Sequence, residues 1–292
     1  GDTKSALASF GPIVPFDFPG KHFFVDSVNG LNSNSGKDWQ HAKKSVYGTA
    51  GGYSLLTTGN NDVLHVVGNA TAYSNTAVGT WAKDFCHMVG HTAPIYTGGR
   101  VRFTNTITTA TAGEFVFTGT GCVFANCQWQ WGASATATSV VGAALSGSGR
   151  NAFINCAFAG PTNATGAGGT AIRNLTITST EDNDFYRCSF GGDTILSNSA
   201  AGALVSFNGI NNHRNVFEDC MFNMYNSTTT SAAINFVDGA MSTAGYTLFK
   251  NCNFLNHTAA AVADIVRNTT NAAGMVLLHN CQLNGLGTTV WA

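Results

Sequence analysis

Charge is scarce in this chain. Asp, Glu, Lys and Arg together make up 10% of the 292 residues, and 15 acidic against 14 basic side chains leave a net charge of −1. A nucleic-acid ligand is therefore not expected, because affinity for a phosphate backbone rests on a basic excess. Glu and Lys are too few for a helical bundle with a solvated charged face, and proline occurs only five times. No run of about 18 apolar residues exists, so no membrane-spanning helix is expected. Gly1 to Phe10 has neither a charged leader nor an apolar stretch, so no secretion signal is expected. No CxxC pair occurs among the eight cysteines, which leaves zinc ligation without support.

What is present is glycine (34 residues), twenty Phe, and much Asn, Thr, Ser and Ala, with 44% hydrophobic residues overall. That apolar content is enough to offset chain entropy, and the composition favours many short strands joined by polar turns.

The second half repeats. Cys127, Cys156, Cys188, Cys220, Cys252 and Cys281 are spaced by 29, 32, 32, 32 and 29 residues. Each stands in one frame: FANCQW, FINCAF, FYRCSF, FEDCMF, FKNCNF and LHNCQL. Cys127 and Trp129 are two apart and share a strand face, whereas Phe124 and Cys127 are three apart. A bend between them returns both to the inside. Asn126 occupies that bend, and Asn is the non-glycine residue that best tolerates a left-handed backbone. Down the six copies the bend reads Asn, Asn, Arg, Asp, Asn, Asn.

A further strand is expected about halfway round each repeat, at Gly142–Leu145, Thr170–Asn174, Ala203–Asn208, Ala233–Asp238 and Ala263–Asn268. Three short strands per repeat, closing on themselves and stacking, predict an all-β fold: one right-handed parallel β-helix of about eight or nine coils. Like residues then stack on like: a cysteine column, aromatic columns and an asparagine ladder.

The first half departs from this frame. Residues 1–22, with Pro12, Pro15 and Pro19, read as an arm, 23–73 as a capping segment, and 74–292 as the solenoid continuous with it. Asp84–Gly90, Arg100–Thr108 and Glu114–Phe117 read as early coils. Phe103, Asn105, Thr106 and Ile107 are expected at the positions that later hold Phe, Asn, Cys and the residue after it. Val25, Asp26, Asn29, Gly30, Gly36, Trp39 and Ala42, followed by Asp62, Val63, Leu64, Val66, Gly68 and Tyr73, carry a resemblance. In this stretch the chain resembles the opening of pectate-lyase-like β-helix proteins, secreted or phage-encoded, where a strand, a loop, a Trp, a short helix and a second strand cap the first coil. The resemblance implies the fold and says little of function, since the architecture hosts many activities.

Candidate chemistry is thin. The cysteine column is read as buried free thiols, because in-register neighbours do not offer the dihedral a disulfide prefers. Cys86 and Cys122, outside it, are read as interior strand residues. Cys86, His87 and His91 are read as a strand entering a turn, with His91 beyond the glycine. The repeat region holds Glu181, Asp182, Asp184, Asp193, Glu218, Asp219, Asp238 and Asp264. Asp184, Glu218 and Lys250 flank inward aromatics and so should face outward. Asp184 and Asp219, with Arg187 or Arg214 nearby, are the pair that a lyase or hydrolase would use. Trp131, Tyr186, Tyr225 and Trp291 are candidate stacking faces for a sugar, but packing in turns or subunit contacts is the favoured reading for each. Asn163, Asn174 and Asn256 begin Asn-x-Ser/Thr triplets, expected by chance in so Asn- and Thr-rich a chain.

No catalytic, metal or cofactor residue is assigned. The favoured reading is a non-enzymatic structural or adhesive surface protein on a phage virion, a capsid decoration protein, fibre or spike, with a secreted or cell-surface location as the alternative. Its expected partners are further copies of the chain, as a homotrimer, and other virion proteins such as a capsid shell. A surface glycan remains an open alternative, and with it the second reading, a polysaccharide lyase or glycoside hydrolase.

Overall fold

The computed structural model describes residues 18–92, 100–105, 107, 113–132, 139–147, 149–160, 171–192, 202–225, 232–236, 245–256, 262–268, 275–284 and 286–291. Its strands form three sheets that share one winding path. The first has nine strands, from His22–Val25, Val63–Val67 and His87–His91 through Val123–Ala125, Ala152–Ile154, Asp184–Tyr186, Asn215–Glu218 and Tyr246–Lys250 to Met275–His279. The second has eight, from Tyr73–Asn75 to Gln282–Asn284, and the third has eight, from Gly79–Trp81 to Leu286–Trp291. Each strand pairs in parallel with its counterpart one repeat away, as Phe153↔Phe185 and Phe217↔Phe249 show. The one short helix among the described residues is a 3-10 turn, Gly52–Leu55. This is a parallel β-helix.

The frame dictates the core. Phe124, Phe153, Phe185, Phe217 and Phe249 stack with centroids 4.9, 5.0, 4.5 and 4.8 Å apart. Trp129, Phe158, Phe190, Phe222 and Phe254 form a second column at 5.3, 5.3, 4.9 and 4.6 Å. These spacings follow the ~4.8 Å strand separation, so ring stacking is imposed by backbone pairing. Between the two columns run the cysteines. Asn126, Asn155, Arg187, Asp219, Asn251 and Asn280 all have φ between 50° and 60°, the left-handed bend that the frame requires. Side-chain amides link the column where the residues allow: Asn155 Nδ2 donates to Asn126 Oδ1 (3.0 Å), Asn251 to Asp219 Oδ1 (3.2 Å), and Asn280 to Asn251 Oδ1 (3.0 Å).

A second, fully buried asparagine column lies at the opposite turn, unanticipated although its spacing is also 32. Asn151 N–H donates to Asn183 Oδ1 (3.2 Å), and Asn183 N–H and Nδ2 donate to Asn215 Oδ1 (3.2 and 2.9 Å). Asn183 Nδ2 also reaches Thr180 Oγ1 and the Glu181 carbonyl. Asn183→Leu should therefore cost about 2–3 kcal/mol, since it strands several buried polar groups at once. The shift of the denaturant midpoint at constant slope measures it.

The mid-repeat strands run Ser139–Ser146, Ala171–Thr178, Ala203–Asn208, Ala232–Phe236 and Val262–Asn268, each overlapping its expected segment. The frame of the earlier coil differs. Val101 pairs with Cys127 and Phe103 with Trp129. Phe103 thus belongs to the second aromatic column, which Tyr73 heads, and Met88, opposite Phe124, stands in for the first. The reason is the connection: later coils turn in one residue, whereas 92–100 separate His87–His91 from Val101–Asn105. Asn105 is freed from the bend. Its Nδ2 instead donates to the carbonyls of Ala77 and Glu114. His91 is likewise the last residue of its strand, because Gly90 continues the pairing opposite Val66.

Candidate functional site

The acidic residues gather on the outer face of the first sheet. Because Phe185, Phe217 and Phe249 point inward, their neighbours point out. Register then sets Tyr186, Glu218, Lys250 and His279 in one row, and Asp184, Val216, Leu248 and Leu277 in the next. Lys250 Nζ lies 2.7 Å from Glu218 Oε1. At the adjoining turn Arg214 Nε donates to Asp182 Oδ1 (2.6 Å), and Nη2 reaches Asp182 Oδ2 (3.1 Å) and Glu181 Oε2 (2.9 Å). His213 Nε2 also contacts Glu181 Oε2. Each of these pairs bridges two coils.

The electrostatics separate the carboxyls. Hydrogen bonds from Arg214 hold Asp182 below the usual carboxylate range. Asp184 is raised, first by desolvation and then by the charges of Asp182 and Glu218. The Tyr186 hydroxyl is raised by burial and next by Asp219. Asp184 faces Asp182 and Glu218, while Asp219 faces Tyr186 and Asn251. Their positions one residue before and two after the inward aromatic put them on different rows. Arg214 serves Asp182 and Glu181, not Asp184. Asp193, Asp238 and Asn163 lie outside the described residues, as do the side chains of Asp264 and Trp291.

Of the candidate stacking faces, Trp131 is packed away, as favoured for it. It is 1% exposed, pressed beneath the third sheet where Gly142 leaves room for its ring. Tyr186 and Tyr225 are half-buried.

All eight cysteines are free thiols. Cys156, Cys188, Cys220, Cys252 and Cys281 each donate to the carbonyl of an aromatic in the preceding coil, Phe124, Phe153, Phe185, Phe217 and Phe249, at 3.2–3.4 Å. Burial pushes the Cys127 thiol far up, Cys86 to about 12 and Cys122 to about 11. A thiol reagent at neutral pH should therefore label at most Cys281, the one cysteine that is not fully buried, and all eight after denaturation. Rapid native labelling of several thiols would contradict this packing.

No protein-family model matches the chain, and no curated protein matches it. Among solved structures it is similar to the pectate lyase Pel9A, with a TM-score of 0.63 and 15% identity over 91% of this chain and 64% of that one. It is also similar to a rhamnogalacturonan lyase (TM-score 0.52, 12% identity, 85% of this chain and 73% of that one). A third is the pectin methylesterase PemA from Erwinia chrysanthemi (TM-score 0.50, 9% identity, 92% of each chain). The chain spans 64% of the length of the Pel9A structure. At these identities the likeness is one of fold, the right-handed parallel β-helix.

Proposed function

We propose that this chain is a non-catalytic structural or adhesive rod on a particle surface, a virion component such as a capsid decoration protein, fibre or spike. One observation carries the reading. Charged side chains on the outer face of the first sheet and at its adjoining turn are engaged between successive coils, Lys250 with Glu218, and Arg214 with Asp182 and Glu181. Carboxylates held in this way clamp one coil to the next, which suits cohesion better than proton transfer. Buried thiols in place of disulfides fit assembly in a reducing compartment. The reading carries with it self-association, as a homotrimer, and attachment to a shell protein.

A second reading, action on a surface glycan, draws on Asp184, whose raised carboxyl beside Glu218 has the character of a general acid. Incubation with a panel of acidic and neutral polysaccharides separates the two. No new chain ends are expected, and depolymerisation lost in Asp184→Asn would establish the second reading. Recovery of the chain from purified virions, stoichiometric with a shell protein, tests the first directly.

A further inference from the structure

The N-terminal end of the first sheet carries a different set of side chains on its outer face. His22, His65 and His91 sit on three successive strands. Register sets Phe24 opposite His65 and Val67 opposite His91, so the imidazoles step diagonally up the coils. Nδ1 of His22 lies 2.7 Å from Nε2 of His65, and Nδ1 of His65 lies 2.8 Å from Nε2 of His91. His22 and His91 are exposed and His65 is half-buried. Phe24 stacks on His65 at 5.0 Å, and Trp39, 41% exposed, stands edge-on to His91 at 5.3 Å.

Three neutral imidazoles own three N–H groups and three lone pairs, and two N–H···N bonds use two of each. Burial, then the neighbouring His91 and His22, depress His65 to about 4. Among the described residues no three His, Cys, Asp or Glu side chains form a group able to hold a metal ion. The ladder is linear, and it offers nitrogens two at a time. The two junctions are not equivalent. His22 and His65 are nearly parallel, with 12° between planes, so their in-plane lone pairs do not converge readily. His65 and His91 are tilted by 48°, which lets both lone pairs turn toward one point.

We propose that the ladder binds one first-row transition-metal ion, of the Zn²⁺ or Cu²⁺ class, between Nδ1 of His65 and Nε2 of His91, with His22 orienting the pair. Metal–imidazole bonds of about 2.0–2.1 Å at a near-tetrahedral angle place the nitrogens roughly 3.3 Å apart. The junction therefore opens by about half an ångström, and water completes the coordination. Protons balance without release. His65 keeps its N–H at Nε2 and donates it to Nδ1 of His22, His91 carries its N–H at Nδ1, and His22 carries its own at Nε2. His22 thus fixes the tautomer that makes His65 a ligand.

Calorimetric titration of the whole chain with ZnCl₂ and with CuSO₄ at neutral pH tests this, alongside Cu²⁺ quenching of tryptophan emission, to which Trp39 is the nearest reporter. One ion per chain is expected, with Cu²⁺ bound more tightly than Zn²⁺. His65→Gln and His91→Ala should abolish binding, and His22→Ala should weaken it by about 10- to 100-fold. His41→Ala and His279→Ala should leave it unchanged. Far-UV circular dichroism keeps the variants comparable, and His65→Ala serves if His65→Gln unfolds. Absence of stoichiometric binding would overturn the proposal. So would binding that survives both ligand substitutions, or that is lost with His41 or His279.

Discussion

Phe217→Ala is expected to lower the unfolding free energy by about 4 kcal/mol, within the range for truncating a buried aromatic. Phe217 is fully buried and stacks on Phe185 at 4.5 Å and Phe249 at 4.8 Å. It also meets Phe190 and Phe222 of the second column at 5.6 and 5.9 Å. The neighbouring coils cannot collapse into the space, because their separation is fixed by strand pairing on three sides. The transfer loss and the cavity loss should therefore both be felt in full. Phe217→Leu, which refills most of the volume, should cost roughly 1–1.5 kcal/mol. Denaturant midpoints of the two variants check the ordering; equal midpoints would mean that the column relaxes.

Acid should destabilise the chain between pH 6.5 and about 4, with His87 a principal contributor. His87 is 3% exposed, and its ring stacks on Phe18 at 3.9 Å. Its Nδ1 accepts the Val123 N–H at 3.0 Å, which requires an unprotonated nitrogen, and Nε2 faces Asn61 Oδ1 at 3.4 Å. Desolvation lowers its pKa from 6.5 to about 4. Above 6.5 folded and unfolded states are both neutral and the contribution is complete. As the pH falls, the unfolded chain takes up the proton first, and the stability is lost progressively until the folded ring also titrates near 4. The full loss is about 3 kcal/mol at 1.36 kcal/mol per pKa unit. Urea melts at pH 7, 5.5 and 4.5 should show it, and His87→Gln should reduce the slope in that window while leaving the share due to His65.

Most of the architecture was legible because one local frame recurs with its geometry intact. The three-residue step from Phe to Cys forces a bend, and the Asn at the bend names its backbone conformation. The column at Asn151, Asn183 and Asn215 was equally legible by spacing, but lacks a flanking aromatic to draw attention. The early coils were legible but their frame was not, because a nine-residue connection replaces the one-residue turn, which slides Phe103 from the first aromatic column to the second. The outward charges were placed on the right face, since alternation alone decides that. Their partners were not, because partnership depends on which row each turn delivers, and Asp184 lies on the strand whereas Asp219 occupies the bend. The histidine ladder joins residues 43 and 26 positions apart that share no motif; only the register of the first three strands assembles it.

The equal 32-residue steps from Cys156 to Cys252 make length a countable property of this molecule. Excision of residues 188–219 would join Arg187 to Cys220, and the junction would read Phe-Tyr-Arg-Cys-Met-Phe, a sentence in the same grammar. Such a chain should fold one rung shorter, by ~4.8 Å. A gene encoding this rod can thus be lengthened or trimmed in whole graduations, like a ruler, provided that each cut begins and ends at the same point of the frame.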